Sequence, residues 1–81
     1  MTREVKVGAI YQHYKGDLYI IEGLVRHSET GEKMVVYRAL YGDCELWVRP
    51  YELFIGKVEV DGKTIGRFEE VRIESKREKL N

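Results

Sequence analysis

Two histidines, one cysteine and one tryptophan are the residues of this chain best suited to chemistry. His13, His27 and Cys44 invite a metal or nucleophile reading, and their spacing argues against both. A mixed His/Cys metal site needs three or four converging ligands. These three stand at the end of a β-prone run, in a loop and in a second turn, and Glu29 or Asp43 would complete a set only by coincidence of fold. A reactive cysteine needs an electropositive setting, whereas Asp43 and Glu45 flank Cys44. The eight glycines are dispersed at turns and make no phosphate-cradling loop. No acid–base pair stands out among fourteen carboxylates. The residues therefore predict no catalytic set, no cofactor and no metal.

The aromatic and basic residues carry a stronger signal. Residues 34–50, MVVYRALYGDCELWVRP, hold two β-rich segments, a Gly42-Asp43 turn signal, and the only Trp and Pro of the chain. Joined by an even-length turn, they place Arg38, Trp47 and Arg49 on one face, and Val35, Tyr37, Ala39, Leu46 and Val48 on the other. Arg38 is then expected beside Trp47, where a guanidinium over an exposed indole is worth ~0.5–1 kcal/mol. Arg49 shares that face, and Tyr51 lies just beyond. Such a face can dock a peptide or a single-stranded nucleic acid. The competing reading makes Trp47 core, lidded by the stems of Arg38 and Arg49.

A second cluster joins Tyr11, His13, Tyr14 and Lys15 with His27, Ser28 and Glu29. Tyr11 and His13 share a strand face, and Tyr14 takes the other. The 27–30 loop has more specific polar groups than a plain turn demands, and loops carry function more often than cores. A small-ligand or enzymatic site around His13, His27, Ser28 and Glu29 is the alternative to the docking face. A purely structural domain that pairs with itself through an edge strand is the third reading.

The elements that must position these residues are short strands. Ala9 to Tyr14 is β-prone and closes at the turn Lys15-Gly16-Asp17. Leu18 to Arg26 follows, with Gly23 marking a bulge or bend. In the next connection Gly31 suits the αL position of an odd, bulged loop. That loop would bring Tyr19, Ile21 and Val25 onto the face of Val35, Tyr37 and Ala39. Pro50 ends the Trp47 strand and opens a single helical turn with Leu53 and Phe54 inward. Asp61-Gly62 is a type I′ hairpin signal. The predicted core is Ile10, Tyr19, Ile21, Val25, Val35, Tyr37, Ala39, Leu46, Val48, Leu53, Phe54, Val58 and Phe68.

Eighty-one residues make one small domain, and a chain this short buries only about 60–65% of its unfolded surface. Fourteen basic residues balance fourteen acidic ones, so nucleic-acid binding would need a local patch. One cysteine excludes an internal disulfide and points to a reducing, cytoplasmic setting. No segment reaches the ~18 apolar residues of a membrane helix. The expected fold is all-β: a small SH3-like barrel or roll of five or six short antiparallel strands with one helical turn, against a split sheet as competitor. Its expected limits are an N-terminal arm or edge strand over 1–7, the domain over 8–71, and a charged tail over 72–81 that is a frayed helix or disordered.

Several blocks in order resemble a known bacterial family. They are Tyr11-Gln12-His13-Tyr14-Lys15-Gly16, Tyr19, His27-Ser28-Glu29-Thr30, Val35-Val36-Tyr37-Arg38-Ala39-Leu40-Tyr41-Gly42 and Leu46-Trp47-Val48-Arg49-Pro50. Val58-Glu59-Val60-Asp61-Gly62-Lys63 with Arg67-Phe68 is similar to the family's usual ending. Together they look like the domain of unknown function 1653, over roughly residues 8 to 71. The resemblance implies an SH3-like barrel and no activity. Leu53 stands where the family commonly has Met, a neutral swap. The expectation is a protein- or RNA-binding module, monomeric or weakly self-associating, with no membrane partner.

Overall fold

The computed structural model describes residues 4–72; the expectation for the charged tail lies outside them, apart from Arg72. Seven strands and one helical turn follow in order: β1 (Ile10–His13), β2 (Leu18–Arg26), β3 (Lys33–Ala39), β4 (Leu46–Pro50), α1 (Tyr51–Phe54), β5 (Lys57–Val60), β6 (Lys63–Gly66) and β7 (Phe68–Glu70). Every pairing is antiparallel. One sheet runs β4-β3-β2-β1-β7, and β5-β6 forms a separate hairpin. The domain is all-β, as the turn spacing predicts, and the strand order is compatible with an SH3-like roll.

The large sheet curls tightly. Its edge strands β4 and β7 would stand about 19 Å apart in a flat sheet of five strands. Instead the Arg49 guanidinium of β4 sits 5.6 Å from the Phe68 ring of β7. Between the edges lies a core built from rings. Phe54 and Phe68 stack at 4.1 Å and 7°. Tyr11 and Tyr37 meet Phe54 edge-on at 5.4 and 5.3 Å, and Ile21 and Val35 complete the fully buried set. Rings suit so small a domain, because each brings a large apolar payload and a polar tip that can reach the surface.

Local sequence explains the turns. Asp61 and Gly62 both take positive φ, 52° and 79°, as a type I′ turn requires. Gly31 is αL at φ 76°. Pro50 caps α1 as its preceding residue and is also the last residue of β4. Residues 4–7 form no strand, yet Val5 is buried and its N–H donates to the Tyr51 hydroxyl at 3.2 Å. Val5 and Tyr11 thus join the core, although neither is in the predicted set.

Two register expectations are corrected. The bulge of β2 lies between Ile21 and Gly23, and Arg26 pairs Lys33 across a loop of even length. The extra residue therefore sits in the strand at Gly23 rather than in the loop. Tyr19 and Ile21 do face Ala39 and Tyr37, but beyond the bulge Leu24 opposes Val35, and Val25 turns to the convex face, where it is exposed. In the next hairpin the pairing is Tyr37↔Trp47, Val35↔Arg49 and Arg38↔Leu46. The intervening turn is odd, because the Ala39 N–H donates to the Glu45 carbonyl at 2.9 Å across five residues. Gly42 and Cys44 supply the left-handed positions, at φ 58° and 54°. One residue of register exchanges the faces of a strand, so Leu46 and Val48 point outward and are exposed. Leu53 is exposed as well, leaving Phe54 as the buried residue of α1.

Candidate functional site

The corrected register separates Arg38 from Trp47. Arg38 lies on the convex face, where its Nε donates to Glu22 Oε2 and its Nη1 to the Cys44 carbonyl, both at 2.9 Å. It clamps the β3–β4 turn to β2. Both partners of the ion pair are well exposed, so the pair itself is worth ~0.2–1 kcal/mol at most.

Trp47 and Arg49 move to the concave face, beside Tyr37 and Val35. Trp47 is 49% exposed there, so it is neither sealed core nor free of the fold. A shallow depression of about 250 Å³ beside it is lined by Ala39, Tyr41, Gly42, Asp43, Glu45 and Trp47. The Tyr19 and Tyr41 hydroxyls meet at 2.7 Å, and Tyr19 stands edge-on to Tyr37, Tyr41 and Phe68. Burial and the Tyr41 hydrogen bond hold the Tyr19 phenol above its ordinary ionisation range.

Phe68 is the meeting point of the two sequence clusters. Arg49 lies over its ring while its Nε donates to the Tyr37 hydroxyl at 3.2 Å. His13 stands edge-on to the same ring at 4.9 Å and packs against Tyr14 at 4.5 Å. The register explains this: Tyr11 pairs Tyr19 and His13 pairs Phe68, so all four face inward. The Lys15 N–H donates to His13 Nδ1 at 3.2 Å, which assigns the ring proton of the neutral imidazole to Nε2. Burial first, then the charges of Arg49, Lys15 and Arg67, push His13 below its ordinary pKa, with Asp17 opposing.

The remaining candidates take other places. Tyr11 is buried core against Phe54. Tyr51 accepts the Val5 N–H, and its ring carries Lys33 Nζ at 4.3 Å. His27 sits at the far end of β2 from His13, nine residues of strand away, roughly 30 Å at 3.3 Å per residue. The 27–30 loop uses its polar groups internally. His27 Nδ1 accepts the N–H groups of Glu29 and Thr30, at 3.1 and 3.3 Å, and Thr30 Oγ1 accepts that of Glu32 at 3.1 Å. No side-chain hydrogen bond of Ser28 or Glu29 is formed among the described residues. The structure does not bring the two halves of the second cluster together.

Sequence reasoning missed Tyr19, Tyr37, Tyr41 and Phe68 as neighbours of the face, and it missed the free edge of β4. β4 ends the sheet order. The Ala39–Glu45 bond and antiparallel alternation turn the N–H and C=O of Leu46 and Val48 toward the open side. Pro50 belongs to the same outward set, so its missing N–H costs no ladder bond. The edge Pro was the available signal. Among the described residues no group of three or more His, Cys, Asp or Glu is placed to hold a metal, and no helix is long and apolar enough to cross a membrane.

The crystal structure of a DUF1653 protein from Bordetella bronchiseptica is similar to this one, with a TM-score of 0.76 and 32% sequence identity over 89% of this chain and 94% of that one. Among curated proteins no relative matches. The family model described as protein of unknown function (DUF1653) matches residues 9–70, nearly the whole domain, and the chain belongs to that family.

Proposed function

We propose that this domain is a protein-binding module that takes an extended peptide along the open edge of β4. The carrying observation is Trp47, half exposed on the concave face of an edge strand whose outward backbone groups at Leu46 and Val48 are unpaired among the described residues. An added strand supplies the missing main-chain hydrogen bonds, and its alternate side chains meet Trp47 and Arg49 on the concave side. Large aromatics beside arginines are the residue types that dominate binding energy at interfaces.

Charge favours a peptide over RNA. The chain is neutral overall, and the depression beside Trp47 is walled by Asp43 and Glu45. Two carboxylates next to the stacking platform repel a phosphate backbone, whose binding depends on neutralised phosphates.

The test uses the sole Trp and two amides. The intact chain captures partners from lysate with and without ribonuclease. Each captured peptide is then titrated while Trp47 emission and amide exchange at Leu46 and Val48 are followed. Docking blue-shifts the emission and protects both amides, and Trp47→Ala abolishes capture while the melt stays cooperative. Capture lost to ribonuclease refutes the peptide reading. Protection that grows with protein concentration alone means that a second copy pairs at the same edge.

A further inference from the structure

We propose that the depression beside Trp47 is an arginine-binding site, in which Trp47, Asp43 and Glu45 receive an arginine side chain of the docked peptide. The source of that arginine rests on the docking reading above; the site itself is read from its own walls.

One depression of about 250 Å³ brings Ala39, Tyr41, Gly42, Asp43, Glu45 and Trp47 together. Strand alternation explains part of this lining. Ala39 is buried at the end of β3 and bonds Glu45 across the turn, and Glu45 stands two residues before Trp47. The turn between them is held from several sides. The Ala39 N–H donates to the Glu45 carbonyl at 2.9 Å, and the Cys44 N–H to the Tyr41 carbonyl at 3.0 Å. Arg38 holds the Cys44 carbonyl from the convex side. Tyr19 braces Tyr41 through both ring and hydroxyl. A site fixed before its ligand arrives has less order to impose on binding.

The walls supply carboxylates and aromatic rings, and no basic residue is among them. Among the described residues, the cations that lie over rings sit on Tyr14, Tyr51 and Phe68, which leaves Trp47 and Tyr41 without one. The single ion pair among those residues is Arg38–Glu22, so neither Asp43 nor Glu45 has a cationic partner there. A half-exposed indole beside two such carboxylates attracts a cation twice, through the negative face of the ring and through their charge. The volume suits one side chain rather than a drug-sized ligand, whose pockets run to about 300–1,000 Å³. An open depression also suits a guanidinium better than an ammonium. The planar group is more weakly hydrated, lies flat on an indole and offers forked donors to a carboxylate.

The experiment follows the Trp47 indole N–H by NMR in the full chain, titrated with Nα-acetyl-arginine amide at fixed ionic strength. The lysine and citrulline counterparts are run beside it, the second being a neutral isostere of arginine. Arginine is expected to move the indole resonance, lysine to bind more weakly, and citrulline to leave the resonance in place. Asp43 and Glu45 are exposed, so Asp43→Asn and Glu45→Gln should leave the melt unchanged. Each is expected to weaken arginine binding about threefold, and the two together about tenfold, as exposed ion pairs do. Glu32→Gln with Glu59→Gln removes the same charge from exposed positions outside the depression and should leave binding as it was. Citrulline acting like arginine, or equal losses in both double variants, overturns the site. Lysine binding as tightly as arginine overturns the arginine assignment. An indole resonance that moves with protein concentration alone puts a second copy of the chain in the depression and overturns the peptide as its source. If arginine binds but no captured peptide protects the Leu46 and Val48 amides, the docking reading fails and the site stands. Peptides that protect both amides equally well with citrulline for every arginine show the reverse.

Discussion

Replacing Val35 and Val48 separately by Ala reads the register that creates the site. Val35 is 0% exposed and Val48 is 56% exposed, although both are valines within apolar runs of neighbouring strands. At Val35 the change deletes two carbons from a closed core. At about 0.8 kcal/mol for each, plus a cavity that the surrounding rings cannot fill, the loss is about 2–3 kcal/mol. For a domain of this size that lowers the melting midpoint by about 10–20 °C. At Val48 the same deletion removes atoms already in water, and the change should stay within about 0.5 kcal/mol. Circular dichroism melts of the two variants, checked by urea titration, give both numbers. Equal losses would refute the pairing Tyr37↔Trp47. A large loss at Val48 with little at Val35 would restore the even-turn register and return Arg38 to the side of Trp47.

Three more perturbations test other parts of the reasoning. His13 is held below its ordinary value of 6.5, so the unfolded chain takes up the proton first as pH falls. His13's contribution to stability is therefore full above pH 6.5 and lost as pH drops through the lower folded value; midpoints of wild type and His13→Gln should converge on acidification. Gly62→Ala puts a side chain at φ +79° and should cost about 1 kcal/mol in the same melt. Tyr41→Phe removes the hydroxyl partner of Tyr19. Ultraviolet pH titration should then show the Tyr19 phenol returning toward its ordinary range, with about 1 kcal/mol or less of stability lost.

What was legible in the sequence was the chemistry of single turns. Asp61-Gly62 demands positive φ at two successive residues, and Gly supplies one of them without strain. Pro50 opens a helical turn and Gly23 marks a bulge, as local propensity dictates. The β3–β4 register was not legible, because its odd turn depends on Cys44 accepting a left-handed conformation that its residue type does not advertise. Leu46 and Val48 look like core by pattern, and only pairing shows that they face outward. Arg38 illustrates the consequence. Its place in the alternation suggested docking, whereas its contacts with Glu22 and Cys44 make it a clamp on the turn. The polar richness of the 27–30 loop has a local cause too, since His27 and Thr30 satisfy the backbone of their own turn.

The site and the core share one face of one sheet, and that links binding to stability. Phe68 presses one ring against Phe54 inside and carries Arg49 and His13 outside. Tyr37 packs on Phe54 and offers its hydroxyl to Arg49. A ligand that engages Arg49 or Trp47 therefore loads residues whose backs are the core. In a larger protein the binding layer and the packing layer would be separate. Here a chain of 81 residues lacks the apolar material to build both. A ligand bound only by the folded state must then raise the melting midpoint, by about 2.7 kcal/mol of stability at a hundredfold excess over Kd. A partner that docked on the convex face would raise it too. Only one on the concave face would do so while changing the His13 titration, because Arg49 is among the charges that set it.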